Sequence, residues 1–359
     1  MFQERQTYST MDKFITEKFP GVIRAENKYI GFGDSKEELN VLRHGTGIRP
    51  VEGSVIIQLK GKDVLDFLHR VSTNAISDLQ PMHSRNTLFL NEKGRFIDRT
   101  NVLSLENEFM LVGSADPDKR LYSWINKYII MEDIVTEDFS EKYSLFDLIG
   151  PQTLSFLTLI IGGEARTLSS DSLRKFYIDG FMFYLYSIAE KNNSTVYRIL
   201  IENEKTSDFL NYLFENKSVF DLSLIGEDAY TAYRIKNRIP AFPYEINDST
   251  NPHETNLINE ISFTKGCYIG QEVIARLETY DKVKRSLVIV NLTDCSALPQ
   301  VPVSIHSETA EVGIITSLAN KELIECGTGL ALLNKKAVES KEELFFITHG
   351  QKFPIKISQ

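Results

Sequence analysis

The chain has 359 residues, 42% of them hydrophobic and 25% charged, which is enough for two or three domains with packed cores. Forty Lys and Arg against forty-nine Asp and Glu give a net charge of -9, which argues against a general nucleic-acid or anionic-membrane surface. Three cysteines, Cys267, Cys295 and Cys326, provide neither a disulfide framework nor a CxxC metal site, and they fall short of the four thiolates of a resident iron-sulfur cluster.

No apolar run reaches the roughly twenty residues that cross a bilayer. The first residues carry Glu4, Asp12 and Glu17 without a signal-peptide core. The expected location is cytoplasmic, with no membrane partner and no specific nucleic-acid partner. His69 and His83 lack zinc-ligand spacing and are read as packing or surface residues, so no metal site is expected.

Residues 1–44 read as a peripheral extension containing a helix, opened by the capping-box spacing of Ser35 and Glu38. Residues 55–59 read as a buried strand, followed by Gly61 and a helix whose apolar side is Val64, Leu65, Phe67, Leu68 and Val71. The arrangement returns at 145–149, where Leu154, Phe156 and Leu157 stand 4, 6 and 7 positions beyond Gly150, as Leu65, Phe67 and Leu68 stand beyond Gly61. In each copy a glycine admits the strand-to-helix turn and the following side chains cover the sheet. The repeat predicts two related lobes, 45–143 and 144–284.

Between the copies, Asn91-Glu92-Lys93-Gly94 reads as a turn joining strands near 87–90 and 101–103, and 109–112 adds another strand. Asp116 and Pro117 then open a helix carrying Leu121, Trp124, Ile125, Tyr128 and Ile129, with Trp124 read as core packing. In the second lobe, strands at 181–186 and 196–201 precede a helix capped by Thr206 or Ser207 and carrying Phe209, Leu210, Leu213 and Phe214. After Arg285 the pattern changes to short strands at 287–290, 301–305, 312–315, 330–333 and 343–347, interrupted by Gly313, Gly327 and Gly329. The expected fold class is therefore α+β, with a small β-barrel domain over 285–359.

The densest chemistry lies between Ser262 and Arg276. Gly266 and Gly270 permit a tight path around Cys267, while Lys265 and Arg276 would favour its thiolate. Tyr268 offers an aromatic face or a hydroxyl, Gln271 both a donor and an acceptor, and Glu272 an acceptor for ring or amine NH groups. The stretch reads either as a ligand-binding or reactive loop or as a structural turn before a helix over 273–278.

Lys265-Gly266-Cys267-Tyr268-Ile269-Gly270-Gln271-Glu272 matches a KGCYxGQE signature, and on it the chain resembles the YgfZ/Iba57 branch of the family related to the glycine-cleavage aminomethyltransferase. Gly61 with Phe67-Leu68, Thr73-Asn74, Leu90 to Arg95, Gly150-Pro151, Arg234-Ile235, Gly313 to Ser317 and Gly327 to Ala331 extend the resemblance over residues 45–335. It implies two pseudo-related lobes and a C-terminal barrel around a central cavity for tetrahydrofolate or a related folate.

The resemblance also implies functional positions. Asp98 matches one member of an Asp pair near the one-carbon unit, whereas Arg99 replaces the other with a permanent cation. In Arg234-Ile235-Lys236-Asn237-Arg238, Lys236 stands where the family has a pterin-holding Glu, and Arg238 where it has a glycine. Arg234 would bind a folate carboxylate or form a structural ion pair, and Glu245 or Glu272 would supply the missing carboxylate.

These departures set the expectation that ordinary aminomethyl transfer is disfavoured. The preferred reading is a folate-linked accessory factor for iron-sulfur cluster assembly or repair, with assembly proteins or client enzymes as partners. Cys267, Asp98 and Lys265 would be its reacting groups, and Arg234, Glu245, Tyr268, Gln271, Glu272 and Arg276 its folate contacts. The alternatives are a tetrahydrofolate-dependent aminomethyl or one-carbon transferase, and a non-catalytic scaffold with a degenerate folate cavity.

Overall fold

The structure, a computed structural model, describes residues 10–25, 28–191, 194–279, 283–294, 298–320, 323, 327–340 and 342–358. Cys295 and Cys326 lie outside the described residues. In chain order the elements are α1 (Thr10–Lys18), β1 (Ile23–Ala25), β2 (Lys28–Gly31), α2 (Ser35–His44), β3 (Thr46–Pro50), β4 (Ser54–Lys60), α3 (Val64–Val71), β5 (His83–Leu90), β6 (Phe96–Ser104) and β7 (Phe109–Ala115). There follow α4 (Arg120–Tyr128), β8 (Val135–Asp138), β9 (Tyr143–Ile149), α5 (Thr153–Ile161), β10 (Leu173–Ile178), β11 (Phe181–Lys191), β12 (Ser194–Glu202), α6 (Thr206–Glu215), β13 (Leu222–Leu224) and α7 (Glu227–Lys236). The chain continues with α8 (Gln271–Thr279), β14 (Arg285–Leu292), β15 (Val303–His306), β16 (Glu311–Leu318), β17 (Thr328–Asn334), α9 (Lys335–Glu339), β18 (Leu344–Thr348) and β19 (Gln351–Ser358).

Two compact units divide these elements: Met1–Ile56, Met82–Ser84 and Asp138–Tyr230 in one, and Ile57–Pro81, Arg85–Glu137 and Thr231–Gln359 in the other. The first unit holds a six-stranded sheet of order β10-β11-β12-β9-β3-β13. Ile48, Phe146, Leu148, Ile199 and Ile201 from its strands pack with Phe209 and Leu210 of α6, and Ile15 and Phe32 join the same core. The second unit contains most of a five-stranded sheet, β5-β6-β7-β4-β8, and a closed barrel, β14-β17-β16-β15-β18-β19.

The α+β class, the two lobes and the barrel are as the sequence pattern led us to expect. In each lobe sheet, three consecutive strands are followed by the strand that leads into the lobe's first helix, β9 before α5 and β4 before α3. Gly61 and Gly150 take φ values of 136° and 130°, and a Cβ would lie 1.8 Å from the Asp133 carbonyl oxygen at Gly61 and 2.4 Å from the Gly45 carbonyl oxygen at Gly150. Both positions therefore demand glycine for conformation and for space. Phe67 and Leu68, like Phe156 and Leu157, are buried beyond these turns.

Local differences have local causes. Helix α2 is capped by Asp34, whose side chain accepts from Lys36 N, while Glu38 turns inward to accept from the backbone N–H groups of Phe32 and Gly226. A capping-box spacing is thus used to tie three segments together. Asp116 accepts from Asp118 N and Arg120 N, so α4 begins at Arg120, after Asp116 and Pro117. Trp124 is buried, its ring 5.3 Å from that of Phe89.

Strand β19 completes the barrel, pairing with β18 through Leu344 and Ile355 and with β14 through Val290 and Ile357. Its buried Phe353 and Ile355 alternate with exposed Lys352, Pro354 and Lys356, and closure removes the free edges of β14 and β18. No described helix is long and apolar enough to cross a membrane.

Candidate functional site

Strand β6 alternates its side chains between the two faces of the sheet, so neighbouring Asp98 and Arg99 have different surroundings. Asp98 is buried. Its Oδ1 accepts from Arg99 N at 2.6 Å, Ser114 Oγ at 2.5 Å and Ser114 N at 3.2 Å, while Oδ2 accepts from Ser114 N at 3.0 Å. Burial pushes the carboxyl up to about 6, the Ser114 and Arg99 donors pull it back, and Asp116 adds to the rise. Gly113 makes room: a Cβ there would stand 2.4 Å from Asp98 Oδ2.

Arg99 does not confront Asp98 with its charge. Its guanidinium grips the buried Glu260, with Nε 2.9 and 3.0 Å from the two carboxylate oxygens and Nη2 2.5 Å from one of them. This two-pronged ion pair neutralises the cation on the chain segment that leads to the Cys267 loop.

In that loop Cys267 is free and exposed. The Lys265 ammonium donates to the carbonyls of His69, Ser72 and Asn74, and lies 5.3 Å from the Tyr268 ring centroid. Burial lowers it to about 8. Arg276 pairs with Glu272 at 2.5 Å on the exposed side of α8, so the hydrogen bonds of neither cation go to Cys267. Tyr268 packs among Leu88, Leu90, Phe96 and Ile261, and burial pushes its hydroxyl up to about 12. Gln271 opens α8.

Arg234 and Glu245 are brought together in the interior. Arg234 Nη1 donates to Glu245 Oε2 at 3.0 Å and Nη2 to Ser317 Oγ at 2.7 Å. Glu245 also accepts from Ala241 N at 3.0 Å, Thr316 Oγ1 at 2.6 Å and Ser317 Oγ at 2.5 Å, so each oxygen has two donors. The pair fastens α7 to β16 of the barrel. Lys236 is exposed on α7. Arg238, at the family's glycine position, takes φ 54° just after the helix, where Arg238 N and Ile239 N donate back to the carbonyls of Ile235 and Arg234. That left-handed C-cap explains why glycine suits the position.

Sequence reasoning missed a second charged group, in the six-stranded sheet. Tyr186, Arg198, Asp147 and Arg49 are register partners across four adjacent strands. Arg198 grips Asp147 through Nε at 2.6 Å and Nη2 at 3.0 Å, and Arg49 reaches it at 3.3 Å. Arg49 also donates to Glu227 at 2.6 and 3.1 Å and lies 3.8 Å over the Tyr230 ring. Burial opposes the Arg198 charge, but Asp147 and Tyr186 hold its pKa above the usual range. The available signal was a charge inside each of two apolar strands, Leu-Phe-Asp-Leu-Ile and Tyr-Arg-Ile-Leu-Ile, since a buried charge requires a partner.

The site and the two-lobed fold with its barrel define a class, and the chain belongs to the GCVT N-terminal domain family, which matches residues 17–265. It is similar to At1g60990 of Arabidopsis thaliana, a chloroplastic protein named as a transferase, with 26% identity over 318 residues covering 88% of this chain and 72% of that one. It is also similar to the aminomethyltransferase of Staphylococcus carnosus (strain TM300), 21% identical over 334 residues and covering 91% and 90% of the two chains. The crystal structure of glycine cleavage system aminomethyltransferase T from Bartonella henselae shares the fold, with a TM-score of 0.80 at 16% identity over 97% of this chain and 96% of that one. These matches do not separate the YgfZ branch from the rest of the family.

They overturn the expectation that Arg99 and Lys236 count against aminomethyl transfer, because a chain named as an aminomethyltransferase matches nine-tenths of this one. The geometry gives the reason. Arg99 is neutralised by Glu260, Asp98 keeps its own donors, and Lys236 projects from the exposed side of α7.

Proposed function

We propose that the chain is a tetrahydrofolate-dependent aminomethyl or one-carbon transferase. The observation that carries this reading is the near-full-length match to a chain named as an aminomethyltransferase. When bound, tetrahydrofolate accepts or carries the one-carbon unit. Asp98 supplies a carboxyl that burial pushes up to about 6, so it can accept from an amine or ring NH and hold a proton. Among the described residues Oδ2 has one donor, which leaves it acceptor capacity for that role.

Gln271 and Tyr268 complete the proposed contacts, through an amide and an aromatic face. Arg234 and Glu245, paired with each other and with Ser317, shape the surrounding framework. The test is turnover of an aminomethyl donor with tetrahydrofolate under anaerobic conditions. Asp98→Asn should lower kcat about 10²- to 10⁴-fold while retaining folate binding. Absence of turnover by the folded native protein across amine donors would count against the reading.

The exposed Cys267 thiol favours a second reading, an accessory role in iron-sulfur cluster assembly or repair. Cys267→Ser at normal abundance should then depress iron-sulfur enzyme activity in cells while leaving transferase turnover intact. Unchanged iron-sulfur enzyme activity would remove this reading.

A further inference from the structure

The segment from Glu260 to Lys265 is laced to the residues that follow α3. Thr73 Oγ1 donates to the Glu260 carbonyl at 2.8 Å, and Ser262 N donates to the Thr73 carbonyl at 3.0 Å. Lys265 then donates to the carbonyls of Ser72 at 2.6 Å, Asn74 at 2.8 Å and His69. These acceptors cluster at the C-terminal end of α3, where helix carbonyls lack intrahelical partners and the helix dipole is negative. An ammonium has three donors, and three backbone acceptors converge on this one. At the other end of the segment, Arg99 of β6 grips Glu260, one residue along the strand from Asp98.

We propose that Lys265 is a positioning residue which, together with Glu260, clamps the loop carrying Cys267 and Tyr268 onto α3 and β6. Its charge serves the backbone of α3 and leaves the Cys267 thiol alone. The kinetic consequence rests on the transferase reading; the clamp itself does not.

Lys265→Met keeps the length of the side chain and removes its donors, whereas Lys265→Arg keeps the charge on a planar fork that fits three convergent carbonyls less well. In Lys265→Met, amide hydrogen exchange across residues 69–76 and 262–270 should accelerate about 10-fold or more. Its kcat should fall about 10- to 100-fold, with a smaller change in the KM for tetrahydrofolate. Lys265→Arg should recover part of both losses. The pH midpoint of Cys267 alkylation by iodoacetamide, followed by peptide mapping, should stay where it is in the native protein.

Unchanged exchange together with an upward shift of that midpoint would overturn the proposal and return Lys265 to the thiol. Should Lys265→Met fail to fold, the same exchange and alkylation measurements on Lys265→Arg decide, with native exchange counting against the clamp. Exchange that responds in a protein whose native form shows no turnover would sink the transferase reading and leave the clamp standing.

Discussion

Asp98 and Asp147 lie in sheets of related strand order and are both nearly sealed from solvent, yet their neighbours differ in charge. Asp147 is gripped by Arg198 and approached by Arg49, so its negative charge is matched by fixed cations. Among the described residues Asp98 has only uncharged donors, the Ser114 hydroxyl and two backbone N–H groups, and burial raises it to about 6. Guanidiniums gripping a buried carboxylate match its charge in place, whereas burial among neutral donors pushes the Asp98 carboxyl up. Strand order is shared between the lobes; the partners of the buried carboxylates are not.

The largest stability effect should come from breaking the locked ion. Arg198→Met removes the two-pronged grip, leaves Asp147 with the longer Arg49 contact, and should cost about 3–5 kcal/mol in chemical denaturation. A cost under about 1 kcal/mol would show that Asp147 is not held as an ion in this way.

The pH dependence of stability sharpens the contrast. Asp98 moves from an ordinary 3.8 to about 6 on folding, so between these values the folded protein binds more protons than the unfolded chain. Stability should therefore fall as pH rises from about 4 to about 6, by on the order of 2–3 kcal/mol from this group. Asp98→Asn should flatten that slope, and an unchanged slope in the variant would assign it to other groups. The smallest effect concerns space. Gly113→Ala places a methyl 2.4 Å from Asp98 Oδ2 and 2.9 Å from Leu121 Cδ2, and should cost about 1–3 kcal/mol. A neutral outcome in thermal unfolding would mean that β7 can move away from Asp98.

Much of the architecture was legible because its causes are local. Gly61 and Gly150 announced two strand-to-helix turns, and their positive φ values and close backbone neighbours show why. The short strands after Arg285 announced a barrel, although β19, with Pro354 among its alternating residues, was not read as the strand that closes it. Glu38 shows the limit of such reading: its capping-box spacing is real, but its carboxylate bonds Gly226, 188 positions away.

The site was legible in part. The KGCYxGQE loop and Asp98 were singled out, but the partners of Lys265 and Arg99 were not, since Asn74 and Glu260 lie 191 and 161 positions from them. The Arg198–Asp147 and Arg49–Glu227 pairs span 51 and 178 positions. A run of residues shows that a buried charge needs a partner, but not which one it receives.

The sequence by itself therefore determined the α+β class, the two glycine turns, the repeated lobes and the short strands of the barrel, because periodicity and backbone sterics act over a few residues. The tertiary structure alone decided that Lys265 caps α3, that Arg99 answers Glu260, and that burial pushes Asp98 up to about 6 while Asp147 is clamped by arginine. Burial and electrostatics depend on groups gathered from distant parts of the chain, and folding is what gathers them.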